Sequence, residues 1–107
     1  MTTAGPVPSE PAVHMRFDPP VGDESGPFAA EVGLGPGGSL PMNTNGGGLS
    51  FTHPGMYGMF LITEAVRQLR GEADARQVDG AEVAVAHGSG MFLSVLSTAV
   101  LGTEAAL

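Results

Sequence analysis

The 107-residue chain carries a formal charge of −7, from eleven acidic residues against four arginines, and has no lysine. That balance argues against a general nucleic-acid binder, which needs a basic face to neutralise phosphates. The absence of cysteine excludes a disulfide framework, a thiolate metal site and a cysteine nucleophile within these residues.

All nine prolines lie in the first 54 residues, and eleven of the seventeen glycines lie between Gly22 and Gly58. A chain of this length supports one small domain with a modest core, so the packed part is expected in the second half. The N-terminus shows no basic n-region and no apolar h-region, so no secretory signal is expected. The longest nearly apolar stretch, residues 91–101, falls short of the roughly 20 residues that span a bilayer. A cytoplasmic protein without a membrane span is the expectation.

Residues 1–24 are rich in proline and acids and have no periodicity. Such a segment cannot offset its ordering entropy by burial, so disorder is expected there. His14 within it has no neighbours that could complete a metal site. Residues 25–48 read as a glycine-rich connector. The run Gly33-Leu34-Gly35-Pro36-Gly37-Gly38 satisfies G-x-G-x-x-G formally. A dinucleotide site also needs a strand before the run and a helix opening at its end, and Pro41 follows instead.

A helix is predicted over residues 54–70. Pro54 suits the first helical position, which places His53 at the N-cap. Met59, Ile62, Val66 and Leu69 recur at helical spacing, and Phe60 and Leu61 widen the stripe, so the first half is expected to be buried. Glu64 can pair with Arg67 or Gln68, and Gly71 is a C′ stop. Residues 72–80 form a polar connector. Residues 81–86 alternate as a strand, with Val83 and Val85 on one face. Residues 87–90 read as a tight turn, and residues 91–101 as a second strand apolar enough to lie inside a sheet.

Two histidines fall where chemistry is often done. At a helix N-terminus His53 would donate to a developing oxyanion, aided by converging N–H groups and the helix dipole. Gly46, Gly47 and Gly48 would let a ligand approach the backbone closely. His87, in a turn at a strand end, could act as base or acid in a cleft. The alternative for each is structural: a histidine at an N-cap serves as a cap, and one in a turn is usually solvated. Three histidines without H-E-x-x-H-like pairing do not suggest a metal site.

Asn43-Thr44-Asn45-Gly46-Gly47-Gly48, followed after four residues by His53-Pro54, resembles the N-x-N-G-G…H-P motif near the C-terminus of thiolases. Gln68-Leu69-Arg70-Gly71 resembles the family's Q-L-R-G helix end. Ala86-His87-Gly88-Ser89-Gly90 resembles its last glycine-rich catalytic loop. The likeness covers residues 25–107 and is nearest the sterol-carrier-protein-x type and related lipid-transfer acyl-CoA proteins. It implies an α/β fold: a partial thiolase-like C-terminal lobe, with loop, buried helix and β-hairpin drawn from a layered α/β/α architecture.

The resemblance also implies roles. His53 would line an oxyanion hole, and His87 would move a proton or orient a ligand. Asn45, Gly46, Gly47, Gly48, Gly88 and Gly90 would form the substrate loops. The substrate would be a coenzyme A thioester, with no separate cofactor. The family's nucleophilic cysteine belongs to an N-terminal half, so a thiolase lobe or dimer partner is implied, and the chain alone is expected to be inactive. After His-Pro, where the family has small residues, this chain has Gly55-Met56-Tyr57-Gly58. Thiolase-like retro-aldolases that shorten steroid side chains use tyrosines for acid/base work. Tyr57 therefore opens an aldolase alternative, with a zinc-ribbon/OB-type partner. A non-catalytic lipid or acyl-CoA binding module, or a degenerate remnant, is the third reading.

Overall fold

The computed structural model describes residues 2–5, 25–51, 55–91 and 94–106. The elements in chain order are strand β1 (Thr2–Gly5), helices α1 (Ser25–Val32), α2 (Gly47–Ser50) and α3 (Tyr57–Leu69), and strands β2 (Val83–Gly90) and β3 (Val95–Gly102). Short 3-10 turns occupy Asp74–Arg76 and Glu104–Ala106. The architecture is α/β: α3 packs on an antiparallel sheet of order β1-β2-β3.

Three strand expectations change. Residues 87–90 do not turn. They continue β2, and the antiparallel register runs from Val83↔Gly102 to Gly90↔Val95. The chain reverses after Gly90, where the Ser94 amide donates to the Gly90 and Met91 carbonyls. Gly88 and Gly90 stay extended because Ser97 and Val95 pair with them across the hairpin. β3 is an edge strand, with Val95, Leu96 and Val100 exposed, rather than an inner one. The central place belongs to β2, because Thr2–Gly5 pairs along its other side, Thr2↔Ala86 to Gly5↔Val83. Those four residues lie within the 1–24 stretch expected to lack structure; residues 6–24 lie outside the described residues.

The buried stripe of α3 is Leu61, Glu64, Ala65 and Gln68. The predicted stripe was one position out of phase: Met59 and Ile62 are exposed, and Val66 and Leu69 are half-buried. Ala65 meets Ala84 of β2 with both side chains fully buried, flanked by Leu69, Ala81 and Leu101. Two small residues at the contact let the helix axis approach the sheet closely. Glu64 and Gln68 turn inward because partners await them there, as described below.

Both ends of α3 are informative. The helix opens at Tyr57, not at Pro54, and its N-cap is Met56 in the left-handed region (φ 51°) without a side-chain cap. Its C-terminus is a Schellman closure. Gly71, at φ 68°, donates its amide to the Gln68 carbonyl, and the Glu72 amide reaches back to the Arg67 carbonyl at 2.8 Å. α1 was not anticipated. It is short and half-exposed, and Pro27 sits in its first turn, where a missing N–H costs little. The G-x-G-x-x-G run follows this helix and closes as a turn, Gly38 amide to Gly35 carbonyl at 3.0 Å. No helix opens at its end, so it is a C-terminal reversal and not a phosphate cradle.

Candidate functional site

A cleft of about 390 Å³ opens between the start of α3 and the hairpin. Met56, Tyr57, Leu61 and Ile62 line its helix side, and Ala86, Gly88 and Gly90 of β2 line its floor. Val95, Ser97 and Ala99 of β3 extend the same face of the sheet. The lining is mainly apolar, with the Tyr57, Ser89 and Ser97 hydroxyls as polar exceptions. Gly88 keeps this floor low. A Cβ there would sit 3.9 Å from Leu61 Cδ1 and 4.0 Å from the Gly58 Cα, ordinary contacts that would begin to fill the space.

Tyr57, Gly88 and Gly90 therefore share one cleft, whereas His87 is not among its lining residues. Side chains alternate along a strand, so with Ala84, Ala86 and Gly88 toward α3, His87 turns to the opposite face. There its Nδ1 lies 2.8 Å from Oγ1 of Thr98, the residue directly across the hairpin. The turn position that would have aimed His87 into a cleft is replaced by a place within the strand. His53 and Pro54 lie outside the described residues.

The loop of residues 43–48 is built from left-handed backbone at Asn43 (φ 50°), Gly46 (φ 98°) and Gly47 (φ 67°). The Gly46 amide donates to the Asn43 carbonyl at 2.8 Å, and the Gly47 amide to Asn45 Oδ1 at 2.9 Å. Two successive residues at positive φ explain the Gly-Gly pair, since a Cβ at Gly46 would also press within 3.1 Å of the Ser50 Cβ. Asn45 Nδ2 is buried without a partner. Neither Asn45 nor Gly46, Gly47 or Gly48 lines the α3–hairpin cleft. The loop continues through α2 to Phe51, whose ring meets Phe60 of α3 edge-on at 5.9 Å.

A polar hub lies beneath the loop. The Glu64 side chain, only 3% exposed, accepts from Thr44 Oγ1 at 2.7 Å, Gln68 Nε2 at 3.1 Å and Arg76 Nη2 at 3.1 Å. Burial alone raises the Glu64 carboxyl, but the hydrogen bonds from Arg76, Thr44 and Gln68 and the Arg76 charge outweigh it and hold it below its ordinary range. The Arg76 guanidinium is held above its ordinary range by the hydrogen bond to Glu64, against some loss of hydration. Gln68 uses its other capacity on the connector, donating to the Arg76 carbonyl at 2.8 Å and accepting from the Val78 amide at 2.9 Å. The Glu64–Gln68 pair follows from its spacing in the sequence, whereas the links to Thr44, Arg76 and Val78 do not. The signal for those links was a carboxylate and an amide at i and i+4 inside an otherwise apolar stripe, which calls for partners elsewhere in the chain.

A second cleft, about 530 Å³, separates the 36–41 loop from residues 75–79 and touches both Thr44 and Arg76. Among the described residues no three His, Asp or Glu side chains group as metal ligands. No helix among them is long and apolar enough to cross a membrane.

The family described as thiolase C-terminal domain-like matches residues 21–103. The chain belongs to that family. The matched span takes in the 43–48 loop, all of α3 and the hairpin, so all three motif blocks belong to this thiolase C-terminal domain. It is 46% identical over 54 residues to the acetyl-CoA acetyltransferase of Methanothermobacter thermautotrophicus, covering 50% of this chain and 14% of that protein. It is 44% identical over 63 residues to sterol carrier protein 2 of Homo sapiens, covering 58% of this chain and 12% of that protein. Sterol carrier protein 2 of Rattus norvegicus is 46% identical over 56 residues, 51% of this chain and 10% of that protein. The chain thus matches about a seventh or less of these relatives' length. No solved structure gives a significant match.

Proposed function

We propose that this thiolase C-terminal domain serves a thiolase-like acyl-CoA acyltransferase, contributing one wall of a site for 3-oxoacyl-CoA thiolysis or Claisen condensation. The observation that carries the reading is the apolar cleft at the mouth of α3, floored by Gly88 and Gly90, in a chain of this family. An acyl chain is an apolar guest, and a glycine floor leaves room for it. The relatives' names, acetyl-CoA acetyltransferase and sterol carrier protein 2, agree with an acyl or lipid ligand.

In the condensation direction of this reading a thiolate attacks the thioester carbonyl of one acyl-CoA, the oxyanion collapses, and coenzyme A leaves, protonated to the thiol. The C2 carbanion of a second acyl-CoA then attacks the acyl-enzyme, forming the C2–C3 bond and expelling the thiolate. Thiolysis runs these steps in reverse. These 107 residues contain no cysteine, so the thiolate comes from outside them, from a thiolase lobe or a dimer partner. His53 donates to the oxyanion. His87, bonded across the hairpin to Thr98, steadies β2 rather than carrying the proton within this cleft. The exposed edge strand β3, with Leu96 and Val100 uncovered, suits cover by that lobe or partner.

A second reading is favoured by Tyr57, which lines the cleft while His87 does not. In a retro-aldol cleavage of a bulky 3-hydroxyacyl-CoA, a base takes the C3 hydroxyl proton as the C2–C3 bond breaks. The enolate is then protonated at C2, and a phenol at position 57 could serve either transfer.

The test is to titrate the chain with an acyl-CoA, then assay it alone and with candidate partner chains. We expect saturable binding and no 3-oxoacyl-CoA turnover by the chain alone. Turnover should return with a cysteine-bearing thiolase lobe. Cleavage of 3-hydroxyacyl-CoA with a zinc-ribbon/OB-type partner, lost in Tyr57→Phe, would select the aldolase. Binding without turnover under any pairing would select a non-catalytic acyl-CoA module, and absence of binding would overturn all three.

A further inference from the structure

We propose that Glu64 is a positioning residue for the 43–48 loop, acting through the Thr44 hydroxyl to hold that loop's left-handed backbone against α3 and the connector behind it. Two bonds described above, Gly46 to Asn43 and Gly47 to Asn45, stay inside the loop. They shape the loop but do not fix it to the rest of the molecule. The Thr44–Glu64 bond leaves the loop and spans twenty residues of sequence at 2.7 Å.

The backbone it holds needs holding. Asn43 at φ 50° and Gly46 and Gly47 at positive φ use residues that suit the left-handed region, so the loop's shape is set locally. Its place against α3 is not set locally and needs a contact that leaves the loop. Burial holds only part of the loop: Gly47 is buried and Thr44 and Asn45 are half-buried, but Asn43, Gly46, Leu49 and Ser50 are exposed.

Glu64 is suited to the task because its own position is over-determined. Gln68 approaches one carboxylate oxygen at 3.1 Å, and the Arg76 Nη2 approaches the other at 3.1 Å. Arg76 is itself secured, since its carbonyl accepts from Gln68 at 2.8 Å. The acceptor offered to Thr44 is therefore fixed in direction before the loop docks. An apolar side chain at position 64 could also fill the space beside Ala65. Burying a carboxylate instead is costly and is repaid here in geometry rather than in packing. The same hub meets the second cleft, which Thr44 and Arg76 both line, so loop and connector share one anchor.

The inference rests on the proposed function only where it takes this loop to serve an acyl-CoA site. The test is therefore run without ligand, on the full chain, by amide hydrogen exchange. Thr44→Val removes the hydroxyl and keeps the shape. We expect exchange at the Gly46, Gly47 and Phe51 amides to rise about tenfold, the scale of one lost hydrogen bond. The amides of residues 65–69 should rise less than these, and the melting temperature should fall by no more than the few degrees that one hydrogen bond carries. Thr44→Ser should restore loop protection. In the double variant with Glu64→Ala, Thr44→Val should add nothing further, because both remove one interaction. If Glu64→Ala fails to fold, the Thr44 pair decides alone. Unchanged loop exchange in Thr44→Val, or a uniform rise along the whole chain, overturns the proposal. Failure to bind acyl-CoA would instead count against the proposed function and leave this result standing.

Discussion

The backbone amide of Val78 donates to the side-chain oxygen of Gln68 at 2.9 Å, across the reversal that follows α3. One glutamine on the helix thereby replaces a strand partner for a connector that belongs to no sheet. Gln77 works in the opposite sense, accepting from the Ala73 amide at 3.1 Å and donating to the Gln68 carbonyl at 2.9 Å. Gln68→Leu would leave the Val78 N–H and the Arg76 carbonyl without that partner. An unsatisfied buried group costs about 1–3 kcal/mol, so a fall in the urea midpoint is expected, with faster exchange over residues 76–78. An unchanged midpoint would mean that water reaches these groups freely.

Leu61 is 1% exposed and stands between the small core and the cleft. Leu61→Ala should destabilise the fold by roughly 2–5 kcal/mol, the usual range for such a truncation. Because the lost volume borders an open cleft, partial relaxation should place the cost toward the low end. Chemical denaturation of the two proteins side by side measures it.

The depressed carboxyl of Glu64 makes a signed prediction about pH. The unfolded chain takes up the proton near the ordinary value of 4.5, and the folded chain only at lower pH. The stabilisation is thus complete above about that value and is lost as pH falls through the folded one. Melting temperature should fall more steeply below pH 4.5 in the native sequence than in Glu64→Gln, whose side chain does not titrate. Parallel acid profiles would show that Glu64 is not the group responsible.

Gly88→Val tests the cleft. The added side chain points at Leu61 and Gly58, and its branches occupy the floor of the cleft. Acyl-CoA affinity is expected to drop by at least about tenfold, equivalent to roughly 1.4 kcal/mol. The hairpin should survive, because valine suits an extended strand. Equal affinity in the two proteins, with circular dichroism unchanged, would place the ligand elsewhere.

The edge strand offers a test of association. Leu96 is 60% exposed and Val100 69% exposed, and both lie on the face of β3 that carries Thr98. Replacing both with lysine should reduce self-association in sedimentation experiments and leave secondary structure intact. Persistent association of the double variant would assign it to a different surface.

The parts legible in the sequence were those governed by local chemistry. Gly71 marks the end of α3 because a left-handed C′ position favours glycine. The strand that begins near Val83 was visible in its alternation. Features set by distant partners were not legible. The phase of α3 was displaced because Glu64 and Gln68 look like solvent-facing residues until Thr44, Arg76 and Val78 are brought to them. Gly88 and Gly90 look like a turn until the register with Ser97 and Val95 is known. At the candidate site, Tyr57 and the two glycines fell together in the cleft. His87 did not, since a residue inside a strand faces the side opposite its neighbours.

The pairing of Thr2 with Ala86 joins residues separated by most of the chain. Contacts of that separation close slowly, because the intervening segment must give up its freedom before any bond forms. During synthesis the first strand must wait, without its neighbour, until the ribosome has released the hairpin. Until the two meet, β2 is enclosed on one edge at most, and its other edge exposes the backbone groups through which sheets from different molecules join.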